Sequence, residues 1–213
     1  MIYAIGDSHA SFFSGEERMQ PCWPEQSNNI LPYFSSIRIG PATAYQLDSK
    51  RRIIIRVIES LNLKNEDKLM FCFGEVDIRA HLVKKYLLND LTIESIVQEC
   101  VSRYIKALLY YKKFNKEIII WGPIASWSSN KVYKGPSYGD NFFRNKVSEV
   151  FNQYLEFEAS KNGFEFITFF YKMLNDDFTT NDFYLDDWDD SHIHLSQNAM
   201  PFILEMFKNN NLI

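Results

Sequence analysis

Three short apolar runs punctuate the chain, at residues 2–5, 69–73 and 118–121, and each is followed at once by a glycine: Gly6, Gly74 and Gly122. Runs this short, apolar throughout and bounded by turn residues, predict strands covered on both faces, as in a parallel sheet. Residues 36–39, before Gly40, and residues 164–167 are weaker strand candidates. Between the runs, apolar residues recur at helical spacing. Residues 53–61 predict one helix and residues 92–114 a longer one, in which Ile96, Cys100, Tyr104, Leu108 and Tyr111 lie three or four apart behind a capping Thr92. Phe143, Val147, Val150, Phe151, Tyr154 and Phe157 form a third inward stripe that ends near Asn162-Gly163. Ser196 opens a last helix with Met200, Ile203, Leu204 and Phe207 facing inward.

Strands alternating with helices predict right-handed β-α-β units. The expected fold is a three-layer α/β/α sandwich around a mostly parallel sheet of about five strands. Neither a linker nor a repeat interrupts the pattern, so residues 1–213 read as one domain. In such sheets the ligand site lies beyond the carboxyl ends of the strands. That rule gathers the glycine-led segments on one edge, with residues 14–32 and 124–139 as loops beside them.

Composition adds exclusions. The formal net charge is −4, which lacks the basic footprint of a nucleic-acid binder. Lys50, Arg51, Arg52 and Arg56 read as the wet face of a helix. Aromatic residues reach 16%, with 18 Phe and 12 Tyr, and a Phe-rich core accounts for them most simply. Cys22, Cys72 and Cys100 are odd in number and form no Cys-x-x-Cys pair, which favours free thiols and a reducing compartment. The first residues lack the basic and apolar regions of a signal peptide, and no apolar run is long enough to span a bilayer. A cytoplasmic location is expected.

The chemistry gathers where that edge is predicted. Gly6-Asp7-Ser8-His9 follows the first strand, and Asp189-Asp190-Ser191-His192-Ile193-His194-Leu195-Ser196 precedes the last helix. A serine nucleophile needs a base, a group that orients the base, and donors for the developing oxyanion. Ser8 sits on a tight strand-to-helix turn whose N–H groups can face an anion. His194 with Asp190, or His192 with Asp189, would complete the set. A metal site is the competing reading of the same residues. Without His-Glu-x-x-His or zinc-spaced Cys/His pairs, neither a metal nor another cofactor is expected.

In this order the motifs resemble the SGNH/GDSL hydrolase superfamily. Gly6-Asp7-Ser8 matches the first block of that superfamily, Gly40 the second, Gly74-Glu75-Val76-Asp77 the Gly-x-Asn-Asp-like third, and residues 189–196 the last. Arg144 and residues 151–155 resemble its long helix before the last strand. The resemblance implies a flavodoxin-like fold and a Ser-His-Asp esterase. Ser8 would be the nucleophile, His194 the base and Asp190 its orienting acid, with the N–H groups of Ser8 and Gly40 at the oxyanion. Two departures stand out. Val76 replaces the asparagine that donates to the oxyanion, and Arg79 or His81 downstream are replacement candidates, Arg79 the better. Arg79 reads equally as a salt-bridge partner of Asp77 or Glu75. Strict Asp-x-x-His spacing gives Asp189 with His192, whereas the step into the last helix gives His194 with Asp190.

The Gly-Asp-Ser-His and Gly-Glu-x-Asp-x-Arg forms also resemble a branch found beside bacterial surface-polysaccharide genes, which implies a small-molecule or glycan ester as substrate. Transfer of the acyl group to a glycan hydroxyl is the rival reaction. A degenerate, non-catalytic glycan or partner binder is the third reading, with Trp23, Trp127 and Tyr133 as sugar-stacking aromatics.

Overall fold

A computed structural model describes residues 1–115, 117–127, 135–186 and 192–213. Five strands form the sheet: β1 (Ile2–Gly6), β2 (Phe34–Arg38), β3 (Lys68–Cys72), β4 (Ile118–Trp121) and β5 (Glu165–Ile167). All pairs are parallel and the spatial order is β2-β1-β3-β4-β5. The weaker strand candidates are therefore β2 and β5, the two edges. Edge strands carry less continuous apolar sequence because part of each stays near solvent.

The helices are α1 (Arg51–Ser60), α2 (Val83–Leu88), α3 (Ile93–Tyr111), α4 (Asn141–Lys161) and α5 (Met200–Asn209). The period-two alternation of each strand divides the core. Leu69, Phe71, Ile118 and Ile120 pack with Ile54, Val57, Tyr104, Leu108 and Phe151 from α1, α3 and α4. Met70, Cys72, Ile119 and Trp121 pack on the other face with Phe12, Phe13, Ile203 and Phe207. The result is the expected three-layer sandwich, with α5 and the 3₁₀ turn Ser8–Ser14 on one face.

Three local expectations change. Phe157 is exposed, at 60%. The first turns of α4 instead bury Arg144, Asn145, Ser148 and Asn152, because they face a loop of irregular backbone and not the sheet. The segment after Gly74 is helical throughout. It includes a π-helical stretch, Asp77–Leu82, that runs into α2. Its buried Asp77 and Arg79 break the apolar stripe by which a helix is read from sequence. Trp127 is buried under the Arg144 guanidinium, 3.8 Å from its ring centroid, so it packs and does not offer a sugar platform. Tyr133 lies outside the described residues. Among the described residues, no helix is long and apolar enough to cross a membrane.

Candidate active site

The strand order changes direction between β1 and β3, which opens a crevice at their carboxyl ends. Ser8 follows β1 there, and Glu75 follows β3. The turn at Ser8 lies close on β3: a Cβ at Gly6 would stand 2.5 Å from the Cys72 carbonyl oxygen, so only glycine fits. Asp7 caps the 3₁₀ turn by accepting the His9 N–H at 2.9 Å. This leaves half-buried Ser8 as the first residue of the turn. Gly40 adopts φ +91°, and the Ile39 N–H donates to the Gly6 carbonyl at 2.9 Å, which places the Gly40 turn beside that of Ser8. Among the described residues, neither the Ser8 nor the Gly40 backbone N–H has a protein acceptor, so both are available to an oxyanion.

Asp77 holds the next part of the Gly40 loop. Its carboxylate accepts from Ala44 N at 2.7 Å and Tyr45 N at 3.0 Å, with the Cys100 thiol at 3.5 Å. Burial outweighs these donors and raises the Asp77 carboxyl to about 6. The third block thus shapes the second.

Val76 presents no donor. Its neighbour Glu75 instead accepts from His9 Nε2 at 2.9 Å and from Arg79 Nε at 2.8 Å. All three side chains are buried. Arg79 is therefore the ion-pair partner of Glu75. Its Nη1 donates to the Pro136 carbonyl at 3.0 Å. His81 is exposed and lines a separate groove with Thr43, Tyr45 and Lys85. Burial pushes Glu75 up, but Arg79 and His9 outweigh it and hold the carboxyl at about 2. Burial pulls the His9 imidazole down, yet the charge and hydrogen bond of Glu75, with Asp7, raise it above its ordinary value.

The C-terminal block reaches this crevice through a hairpin. Leu185 and Leu195 form an antiparallel bridge, and the Asp186 N–H donates to the His194 carbonyl at 2.9 Å. Asp186 Oδ1 accepts the His194 N–H at 3.1 Å, and Oδ2 lies 3.5 Å from Nδ1 of its ring. The His194 ring stands 4.8 Å from the His9 ring, centroid to centroid. His192 lies at φ +49°, its Nδ1 2.7 Å from the Asp186 carbonyl oxygen. Glu17 fastens the segment to the Ser8 side of the molecule, accepting from Ser196 Oγ at 3.0 Å and Gln197 N at 2.6 Å.

Of the expected residues, the structure brings the segments of Ser8, Gly40, Arg79 and His194 together around His9 and Glu75, while His192 contacts the Asp186 carbonyl. Asp189 and Asp190 lie outside the described residues. Asp186 was not expected from the sequence. Its signal was the alternation Ile193-His194-Leu195, which reads as a short strand and puts Asp186 opposite His194 once Leu185 pairs with Leu195. Among the described residues the Ser8 hydroxyl makes no hydrogen bond, so the contact expected between a serine nucleophile and a base is not formed. Such contacts commonly tighten only around substrate. No group of three or more His, Cys, Asp or Glu side chains among the described residues could hold a metal ion.

The sequence matches no family model and no curated protein. Solved structures do match. A protein from Streptococcus pneumonia, provisionally described as a platelet activating factor, superposes with TM-score 0.61 at 15% identity, covering 100% of this chain and 83% of its own. A catalytic mutant of an acetylxylan esterase from Geobacillus stearothermophilus gives 0.58 at 13%, covering 97% and 92%. A carbohydrate acetylesterase from Sinorhizobium meliloti gives 0.52 at 14%, covering 100% and 99%. The chain shares the α/β/α sandwich fold of these proteins.

Proposed function

We propose that the protein is a serine-dependent acyl-ester hydrolase. Ser8 attacks the acyl carbonyl, and His194 takes the Ser8 proton and later delivers it to the leaving alcohol. Water then repeats the sequence in reverse on the acyl-serine, with His194 again as the base. Asp186 holds the His194 ring and offsets the imidazolium that forms on it. The Ser8 and Gly40 N–H groups receive the oxyanion. The observation that carries this reading is the His194–Asp186 pair, delivered by the hairpin against His9, the neighbour of Ser8, at the switch point of the sheet.

The substrate is a short acyl ester on a carbohydrate. Support comes from the carbohydrate acetylesterases that share the fold. Hydrolysis of 4-nitrophenyl acetate and of an acetylated xylo-oligosaccharide tests the proposal. Wild type should cleave both and Ser8→Ala neither. Equal rates in the two proteins would remove Ser8 from the mechanism.

A further inference from the structure

The third block lacks its usual oxyanion donor, yet the same backbone position organises charge around Ser8. Val76 is flanked by Glu75, and the Glu75 carboxylate joins two cationic side chains. Arg79 approaches from four residues along the same helical segment, His9 from across the switch point. The arrangement is costly to bury unless the charges are paired, and here both cationic side chains contact the Glu75 carboxylate. The His9 end of this group places positive charge at the residue next to the nucleophile. That is the sign an oxyanion requires.

We propose that His9 is a positioning residue of the reaction: fixed by Glu75 and Arg79, its imidazolium supplies beside Ser8 the positive field that the valine in the third block cannot supply as a hydrogen-bond donor. This inference rests on the esterase reading. The geometry gives His9 no freedom to turn away. Its backbone N–H donates to Asp7 at 2.9 Å, its ring Nε2 meets Glu75 at 2.9 Å, and its ring packs 4.8 Å from that of His194.

The charges that face His9 come from every element around it. Asp7, on its own turn, and Glu75, after β3, favour the imidazolium. Arg79 opposes it. Asp186 sits behind His194 on the hairpin, and Arg144 of α4 acts on Glu75. Burial works against the cation, and the two carboxylates outweigh it. With the imidazole raised above its ordinary value, the charge persists to higher pH than on a free imidazole. It is lost as pH rises through the titration point of His9.

The test pairs a titration with a rate profile. Histidine-labelled wild type and Glu75→Gln are titrated by NMR, with the four imidazoles assigned by single substitution. In parallel, kcat and KM for 4-nitrophenyl acetate are followed against pH. In wild type, His9 should titrate above its ordinary value of 6.5, and kcat should decline on the alkaline side with the same midpoint. In Glu75→Gln both midpoints should move down together by about one pH unit. At pH above both midpoints, kcat should fall about tenfold with KM nearly unchanged, because the lost field acts on the transition state.

Glu75→Asp keeps the charge but draws it back, and should give an intermediate midpoint. It serves if Glu75→Gln fails to fold. A His9 that titrates at or below 6.5 in wild type, or rate and NMR midpoints that move apart, would overturn the proposal. The two hypotheses fail separately. If Ser8→Ala retains wild-type rates, the esterase reading falls while the NMR midpoints still report on the Glu75–His9 pair.

Discussion

Asp186 and Glu75 occupy similar surroundings, buried carboxylates against an imidazole, and yet they do different work. Asp186 accepts from the His194 backbone N–H and lies 3.5 Å from its ring Nδ1, and under the proposed mechanism it is the orienting acid. Asp186→Asn should lower kcat about 10²-fold or more, since an amide cannot offset the imidazolium. Asp190→Asn should stay close to wild type in the same ester assay, and a loss equal to that of Asp186→Asn would hand the role to Asp190. Glu75 also carries a stability signature. Its folded-state value of about 2 lies below the ordinary 4.5, so its contribution is complete above pH 4.5 and disappears as pH falls towards 2. The gap in Tm between wild type and Glu75→Gln should therefore be wide at pH 6 and narrow on acidification through that window. A constant gap would mean that the carboxylate is not ionised in its pair.

Elements were legible in the sequence to the extent that their chemistry was uniform. β1, β3 and β4 are apolar throughout and read directly. α3 keeps its stripe from Ile96 to Tyr111, with Thr92 as its cap, as its spacing predicts. Legibility failed where polar groups are buried. The helical segment from Asp77 hides its inward face because that face carries a carboxylate and a guanidinium. The first turns of α4 do so because they bind the backbone after β4: Asn145 Oδ1 accepts from Ser126 N at 2.9 Å, and Asn145 Nδ2 donates to Thr180 Oγ1 at 3.0 Å and to the Phe178 carbonyl at 3.0 Å. Asn145→Ala should cost about 1–3 kcal/mol in urea unfolding, because it removes the partner of buried polar groups. A cost near zero would mean that the loop is held elsewhere. For the candidate site, the sequence puts Ser8, Gly40 and His194 on segments whose backbones the fold brings near β1 and β3. Asp186 beside His194 was not legible, because antiparallel pairing, and not a fixed sequence spacing, sets that contact.

At the scale of the molecule, one sheet order accounts for why distant segments meet. The β1/β3 switch point puts residue 9 beside residue 75, and the pairing before α5 sets His194 against His9. The far face is keyed by Phe207, fully buried, with ring centroids 5.1 Å from Phe34 and 6.3 Å from Trp121. Phe207→Ala should destabilise the fold by about 3–5 kcal/mol, measured by chemical denaturation. The central claim is that this architecture makes Ser8 a nucleophile served by His194. The most direct measurement is covalent labelling by a fluorophosphonate, read by intact mass and peptide mapping. A single adduct on Ser8, absent in Ser8→Ala and formed far more slowly in His194→Ala, is the predicted result. An unlabelled Ser8 in folded wild type, or labelling equally fast without His194, would contradict it.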